Sequence, residues 1–257
     1  NNPDQEWDKE IEYLIIGDSF VHGNCVNRPN DISSILRKLS GKSVLNLGYE
    51  HNKGPLLQYA TLREYLNPSV KKIIWTFNDT DLFDLDIELK NKILIKYLKN
   101  QNFIQNLKNR QNEVNEFAKE IMEREILKER MKKNINQFNF FNFLKIPLLR
   151  AKIFVPNYTD NFDKFKIILK LSKDIAVENN SEIYFVYLPS HPSYGLSKNF
   201  DEIKNIVSDL QIPFIDIKST VFDVEDQTIF FPYNLPGHYN ELGYNEISKA
   251  IYNFTKN

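Results

Sequence analysis

One cysteine, Cys25, occurs in the 257 residues. This excludes an internal disulfide framework and any metal site built from several thiolates, and Cys25 itself reads as a buried structural thiol, the alternative being a reactive thiol. Neither sign of charge prevails. The formal net charge is −1, so no chain-wide basic field points to nucleic acid. No apolar run reaches the roughly 18 residues of a membrane span, and no secretory leader is visible. Repeats and low-complexity tracts are missing, and so is a glycine-rich phosphate loop, since the turn at Gly17 holds one glycine and not GxGxxG. The four histidines are scattered without HxH or HExxH spacing, which gives no sign of a metal site. No cofactor is implied.

With 42% hydrophobic residues, the chain can bury one substantial core. Ile11 to Ile16 is a short β-branched run that suits a strand buried on both faces, and it ends abruptly in Gly17-Asp18-Ser19. Gly-Asp-Ser alone is an ordinary strand-ending turn. A helix follows from Asp31 to about Leu39, then a strand over Ser43 to Gly48, a helix from Pro55 to Leu66 and a strand over Lys71 to Phe77. This β-α-β-α-β order predicts a mostly parallel, doubly wound sheet in an α/β chain. Later strands are expected at Glu182 to Leu188 and Pro213 to Ile217. Helices are expected from Thr159 or Asp160 to Glu178, over Phe200 to Leu210, and along the terminal stripe Ile247, Ala250, Ile251, Phe254.

Between about residues 84 and 150 the pattern breaks. Apolar residues there recur at helical spacing, and the stretch is too long for an ordinary crossover, so a helical insertion is expected within a single domain spanning residues 1–257. From Lys90 to Lys133 there are 12 Lys and Arg against 6 Asp and Glu. This reads as a solvated face, the alternative being a basic lid over an anionic substrate or a membrane surface. The aromatic cluster Phe138, Phe140, Phe141, Phe143 reads as an anchor for the insertion, or as the lining of an acyl pocket.

A buried parallel strand running into a small-residue turn puts Ser19 at the carboxyl edge of the sheet, where open α/β folds bind ligands. His238 precedes the terminal helix, and the ends of neighbouring strands meet at that edge, so Ser19 as nucleophile and His238 as its base form a feasible pair. Gly-Asp-Ser after the first strand, with a histidine before the last helix and the wording GDSFVHG…NLG…GHYNELGY, resembles the SGNH/GDSL hydrolase family. The resemblance implies a three-layer α/β/α sandwich and acyl-ester hydrolysis or acyl transfer through an acyl-Ser19 intermediate. It also implies an oxyanion hole made by Ser19 N–H, a backbone N–H after the second strand (Gly48, or nearer His51 by the usual spacing), and an asparagine after the third. Residue type selects Asn78 for that last donor; a gap-free match selects Thr80. Where the family places an aspartate three residues before the histidine, this chain has Leu235. Asp223 and Asp226 are nearby in sequence only, so a Ser-His dyad, an acid recruited from elsewhere, or a backbone carbonyl holding the ring are the open alternatives.

Asp18, His22, His51 and His191 are the further candidates for substrate contact, each with a plain reading as a turn or surface residue. By resemblance the preferred substrate is an O-acylated glycan, then a lipid ester. The rival expectation is a catalytically degenerate module that binds a glycan or a protein partner without turnover. Nucleic-acid binding is not expected, whereas membrane contact has two possible routes, the basic helices or a tether outside this sequence. The abundance of Asn, Lys and Ile hints at a bacterial source. The start at Asn1 without methionine suggests a piece of a longer, extracytoplasmic protein.

Overall fold

Ile11–Ile16 (β1) is buried at every position but Glu12, as its otherwise apolar sequence requires of a strand covered on both faces. The computed structural model of the chain describes residues 2, 10–49, 54–78, 80–133, 161–194 and 199–256. After β1 come a short helix, Ser19–His22 (α1), and Ile32–Ser40 (α2), then Val44–Asn46 (β2), Pro55–Tyr65 (α3) and Val70–Asn78 (β3). Four helices follow: Asp81–Glu88 (α4), Lys92–Lys99 (α5), Gln111–Lys133 (α6) and Phe162–Glu178 (α7). Glu182–Leu188 (β4), Phe200–Asp209 (α8), Phe214–Asp216 (β5), Ile217–Thr220 (α9) and Glu241–Thr255 (α10) complete the order.

All five strands are parallel, in the order β2-β1-β3-β4-β5. Because side chains alternate faces, Leu14 and Ile16 enter one buried cluster with α3, α4, α5, α7 and α8. Tyr13 and Ile15 enter the other with α2 and α10. The chain is therefore a three-layer α/β/α sandwich, and its strand order reverses between β1 and β3, where such sheets open a crevice.

Local chemistry sets the element ends. Asp31 caps α2 by accepting from Ser34 N–H at 3.1 Å, and Gly41, at φ +66°, ends it. Asn240 caps α10 through Gly243 N–H at 3.0 Å. The second strand is shorter than the sequence suggests, because Asn46 Oδ1 takes the Gly48 N–H at 2.8 Å and turns the chain out of the ladder. In the stretch expected as an insertion, α4 and α5 bury Leu82, Leu85, Leu94 and Tyr97 in the main core. By contrast α6 leaves Phe117, Ile121, Met122, Ile126 and Leu127 exposed. The aromatic cluster at Phe138 to Phe143 lies outside the described residues. Among the described residues no helix is long and apolar enough to cross a membrane.

Candidate active site

Ser19 opens α1 directly after β1. Asp18, just before it, accepts from Phe20 N–H at 2.9 Å and caps this short turn of helix. Ser19 is half-buried, and its Oγ lies 2.7 Å from His238 Nε2 across 219 residues of chain. Phe20, from α1, packs its ring 4.7 Å from the His238 ring and 4.7 Å from Tyr239. The helix that begins with Ser19 thus holds the imidazole in place. Burial pushes His238 below the ordinary imidazole value, so near neutral pH the ring is uncharged and Nε2 has a lone pair to accept the hydroxyl proton. Among the described residues no side chain or carbonyl bonds the opposite nitrogen. Leu235 is partly exposed. Asp226 accepts from Thr228 N–H at 2.9 Å and Thr228 Oγ1 at 2.7 Å, and its charge acts on His191.

A cavity of about 190 Å³ lies over this pair. The turn after β1 contributes Asp18, Ser19 and Phe20; the end of β3 and the start of α4 contribute Asn78, Thr80 and Asp84. Ser190 and Tyr194 reach it from the loop after β4, and Gly237 and His238 from the approach to α10. Three strand ends and one loop therefore converge where the strand order reverses.

The expected oxyanion donors stand as follows. Ser19 N–H has no hydrogen-bond partner among the described residues. Gly48 is not on the cavity wall. Its N–H is used by Asn46, and its Cα packs so closely on α1 that an added Cβ would lie 2.6 Å from His22 N. Asn78 sits between two backbone groups: its Oδ1 accepts from Thr80 N–H at 3.2 Å, and its Nδ2 donates to Leu188 carbonyl at 2.9 Å. These fix the direction of the amide and leave its second N–H hydrogen uncommitted to either. The Thr80 hydroxyl donates to Asn78 Oδ1 at 3.1 Å, as does Ser190 Oγ at 3.0 Å. Of the remaining candidates, Asp18 is on the wall. His22 is exposed and away from it, and His51 lies outside the described residues. His191 is buried behind the cavity, bonded to Ser193 Oγ at 2.8 Å and to Asn234 carbonyl at 3.3 Å. Cys25 corrects the sequence reading: it is exposed, at φ +72°, because the chain turns there to leave α1.

The sequence reading missed a stripe of acids on the inner face of α4. Asp81, Asp84 and Glu88 are all buried, and their i, i+3, i+7 spacing was the signal that one helix face carries them. Burial, with the charges of Asp18 and Asp84, pushes Asp81 well above the ordinary carboxylate range. Burial pushes Asp18 up to about 6. Glu88 serves a structural end. Gly54 begins α3 without a side-chain cap, and Glu88 Oε2 replaces one by accepting Leu56 N–H at 3.0 Å.

Burial also raises Glu88 to about 7 from its ordinary 4.5. The folded chain therefore keeps a proton that the unfolded chain releases, and stability from this group is full below about 4.5 and declines as pH rises through about 7. Glu88→Gln keeps the acceptor and cannot ionise. We expect its melting temperature to match the wild type at pH 4 and to exceed it at pH 8, the difference corresponding to about 3 kcal/mol at most. Parallel melting curves from pH 4 to 8 would remove Glu88 from the balance.

Among the described residues no group of three or more His, Cys, Asp or Glu is placed to hold a metal ion. No protein-family model matches the chain, and no curated protein does. Solved structures do. A member of the lipolytic protein G-D-S-L family from Veillonella parvula DSM 2008 superposes with a TM-score of 0.53 at 11% identity, over 95% of this chain and 97% of its own. The lipase/acylhydrolase from Enterococcus faecalis gives 0.53 at 10% identity, over 96% of this chain and 95% of its own. The acetyl xylan esterase AlAXEase gives 0.51 at 10% identity, over 95% and 99%. These superpositions run over nearly the whole length of both chains: this chain has the fold of the SGNH/GDSL hydrolases.

Proposed function

We propose that the protein is a serine esterase that works through a Ser19-His238 dyad. The observation that carries this reading is the 2.7 Å contact between Ser19 Oγ and His238 Nε2 at the floor of a cavity. Ser19 Oγ attacks the ester carbonyl carbon while its proton passes to His238 Nε2. The carbonyl π pair moves onto oxygen, facing Ser19 N–H and the second hydrogen of Asn78 Nδ2. Collapse breaks the bond to the leaving oxygen, which takes the proton from Nε2. A water molecule then repeats the sequence on acyl-Ser19: its proton goes to Nε2, its oxygen to the acyl carbon, and Ser19 recovers its proton. Transfer to a sugar hydroxyl in place of water follows the same steps.

An O-acylated glycan is the preferred substrate. The cavity of about 190 Å³ is smaller than the ~300–1,000 Å³ of pockets for drug-sized ligands, which suits an acetyl-sized group better than a lipid chain. One structure of this fold is an acetyl xylan esterase. The rival reading, a binding module without turnover, is favoured by a histidine out of reach of the serine with nothing to orient its ring; the 2.7 Å contact weighs against it, while the ring is held by packing on Phe20 and by no described hydrogen bond to its other nitrogen.

The test is covalent. An alkyl phosphonate ester incubated with the protein should place one adduct on the peptide containing Ser19, found by mass spectrometry, and prior acetate-ester turnover should slow its appearance. Labelling that persists in Ser19→Ala, or no labelling of the folded wild type, would sink the mechanism.

A further inference from the structure

Three hydrogen-bond donors converge on one atom in the wall of the Ser19 cavity, the Oδ1 of Asn78. Thr80 gives its N–H at 3.2 Å and its hydroxyl at 3.1 Å, and Ser190, from the loop after β4, gives its hydroxyl at 3.0 Å. A carboxamide oxygen only accepts, so each hydroxyl spends its single hydrogen there. Neither has a proton left for a substrate oxygen, although both residues line the cavity. At the other end of the amide, Nδ2 gives one hydrogen to the Leu188 carbonyl at 2.9 Å. The two backbone groups, one purely a donor and one purely an acceptor, fix which end is nitrogen. The hydroxyls could turn to suit either end, so their contribution is a different one. Asn78 is 1% exposed, in surroundings where hydrogen bonds polarise one another. Donors on Oδ1 draw electron density from Nδ2, and its second N–H hydrogen becomes a stronger partner for negative charge.

We propose that Ser190 and Thr80 are positioning residues for the oxyanion site, holding and polarising the Asn78 amide so that its second N–H hydrogen meets the charge developing on the substrate carbonyl oxygen. The inference rests on the esterase reading and deepens it. It gives both sequence candidates for the third donor a part: Asn78 faces the oxyanion, and Thr80 acts through Asn78. Because the oxygen is charged only during reaction, the two hydroxyls serve the transition state and add little to ground-state binding.

Steady-state kinetics with p-nitrophenyl acetate test this. Ser190→Ala should lower kcat about fivefold, the worth of one hydrogen bond, with KM close to that of the wild type. Thr80→Val keeps the shape and the N–H, and α4 takes no cap from this side chain; it should do the same. The two together should cost at least about tenfold. Ser190→Thr keeps the hydroxyl and should recover most of the loss. In an Asn78→Ala background, slower by about 10², adding Ser190→Ala should cost nothing further. Trifluoroacetone gives a second reading where Asn78→Ala does not fold. Ser19 Oγ adds to its carbonyl carbon, the π pair becomes the oxyanion, and the serine proton moves to His238 Nε2. Its inhibition constant should therefore rise in Ser190→Ala by the factor that kcat falls. Wild-type kcat in Ser190→Ala would overturn the proposal. So would a rise in KM in place of a fall in kcat, or a Ser190→Ala loss that persists without Asn78. A failure of the esterase reading looks different: no ester is hydrolysed and no phosphonate attaches to Ser19.

Discussion

Ser19→Ala should lower ester turnover by at least about 10³-fold while the protein stays folded and continues to bind substrate. The substitution removes one oxygen from a half-buried position and leaves the α1 cap, because that cap comes from Asp18 and Phe20 N–H. It also leaves the backbone N–H of residue 19 in place. The loss should therefore fall on kcat with little change in KM. His238→Ala should cost a comparable factor, and the double variant should be no slower than Ser19→Ala alone, because the two groups act on one proton and their effects do not add. Steady-state rates with p-nitrophenyl acetate, with far-UV circular dichroism to verify the fold, make the check. A Ser19→Ala variant that keeps a tenth of the activity would assign the chemistry to another group.

The second large effect is expected at a residue that does not touch the cavity. Gly48→Ala should lower kcat/KM by about 10²-fold and reduce stability by about 1–3 kcal/mol. A Cβ at this position would lie 2.6 Å from His22 N, Val21 Cβ and Val21 Cγ1. The first is backbone and the others belong to a fully buried β-branched side chain, so nothing there can swing aside. The strain must move α1, the helix that begins with Ser19. Asn46 adds to the constraint, since its Nδ2 donates to Val21 carbonyl at 2.7 Å while its Oδ1 holds Gly48 N–H. A displacement of about 1 Å is enough to spoil the alignment of nucleophile and base. Thermal melting and kcat/KM measured on one preparation decide it; a Gly48→Ala protein with wild-type values of both would show that the contact relaxes freely. The expected loss would make Gly48 a positioning residue for α1, a role different from the oxyanion donor suggested by its place after β2.

Reading the sequence alone fails at such points for a definable reason. The strands were legible because a segment buried on both faces must be mostly apolar, and Ile11 to Ile16 and Ile183 to Leu188 state this locally. The helix boundaries were legible at Asp31 and Gly41 because caps are chosen by nearest-neighbour chemistry. The commitments of Asn78 and Gly48 were not, since each depends on a partner whose nearness follows from how strands pair: Leu188 is 110 residues from Asn78. Cys25 was misread because burial of a small thiol depends on where a loop runs, and no periodicity records that. Glu88 at the start of α3 is the same case, a cap supplied across 32 residues by a helix whose position the core decides.

The amino-acid order by itself determined the layered α/β class, the strand that delivers Ser19, and the two side chains able to share a proton, because these are properties of short segments and of side-chain chemistry. Only the tertiary structure decided that the two meet, that Asp84 of α4 lines the cavity over them, and which N–H groups near Ser19 are left without a partner among the described residues. These are distances between remote parts of the chain, set by the parallel register and by packing on both faces of the sheet.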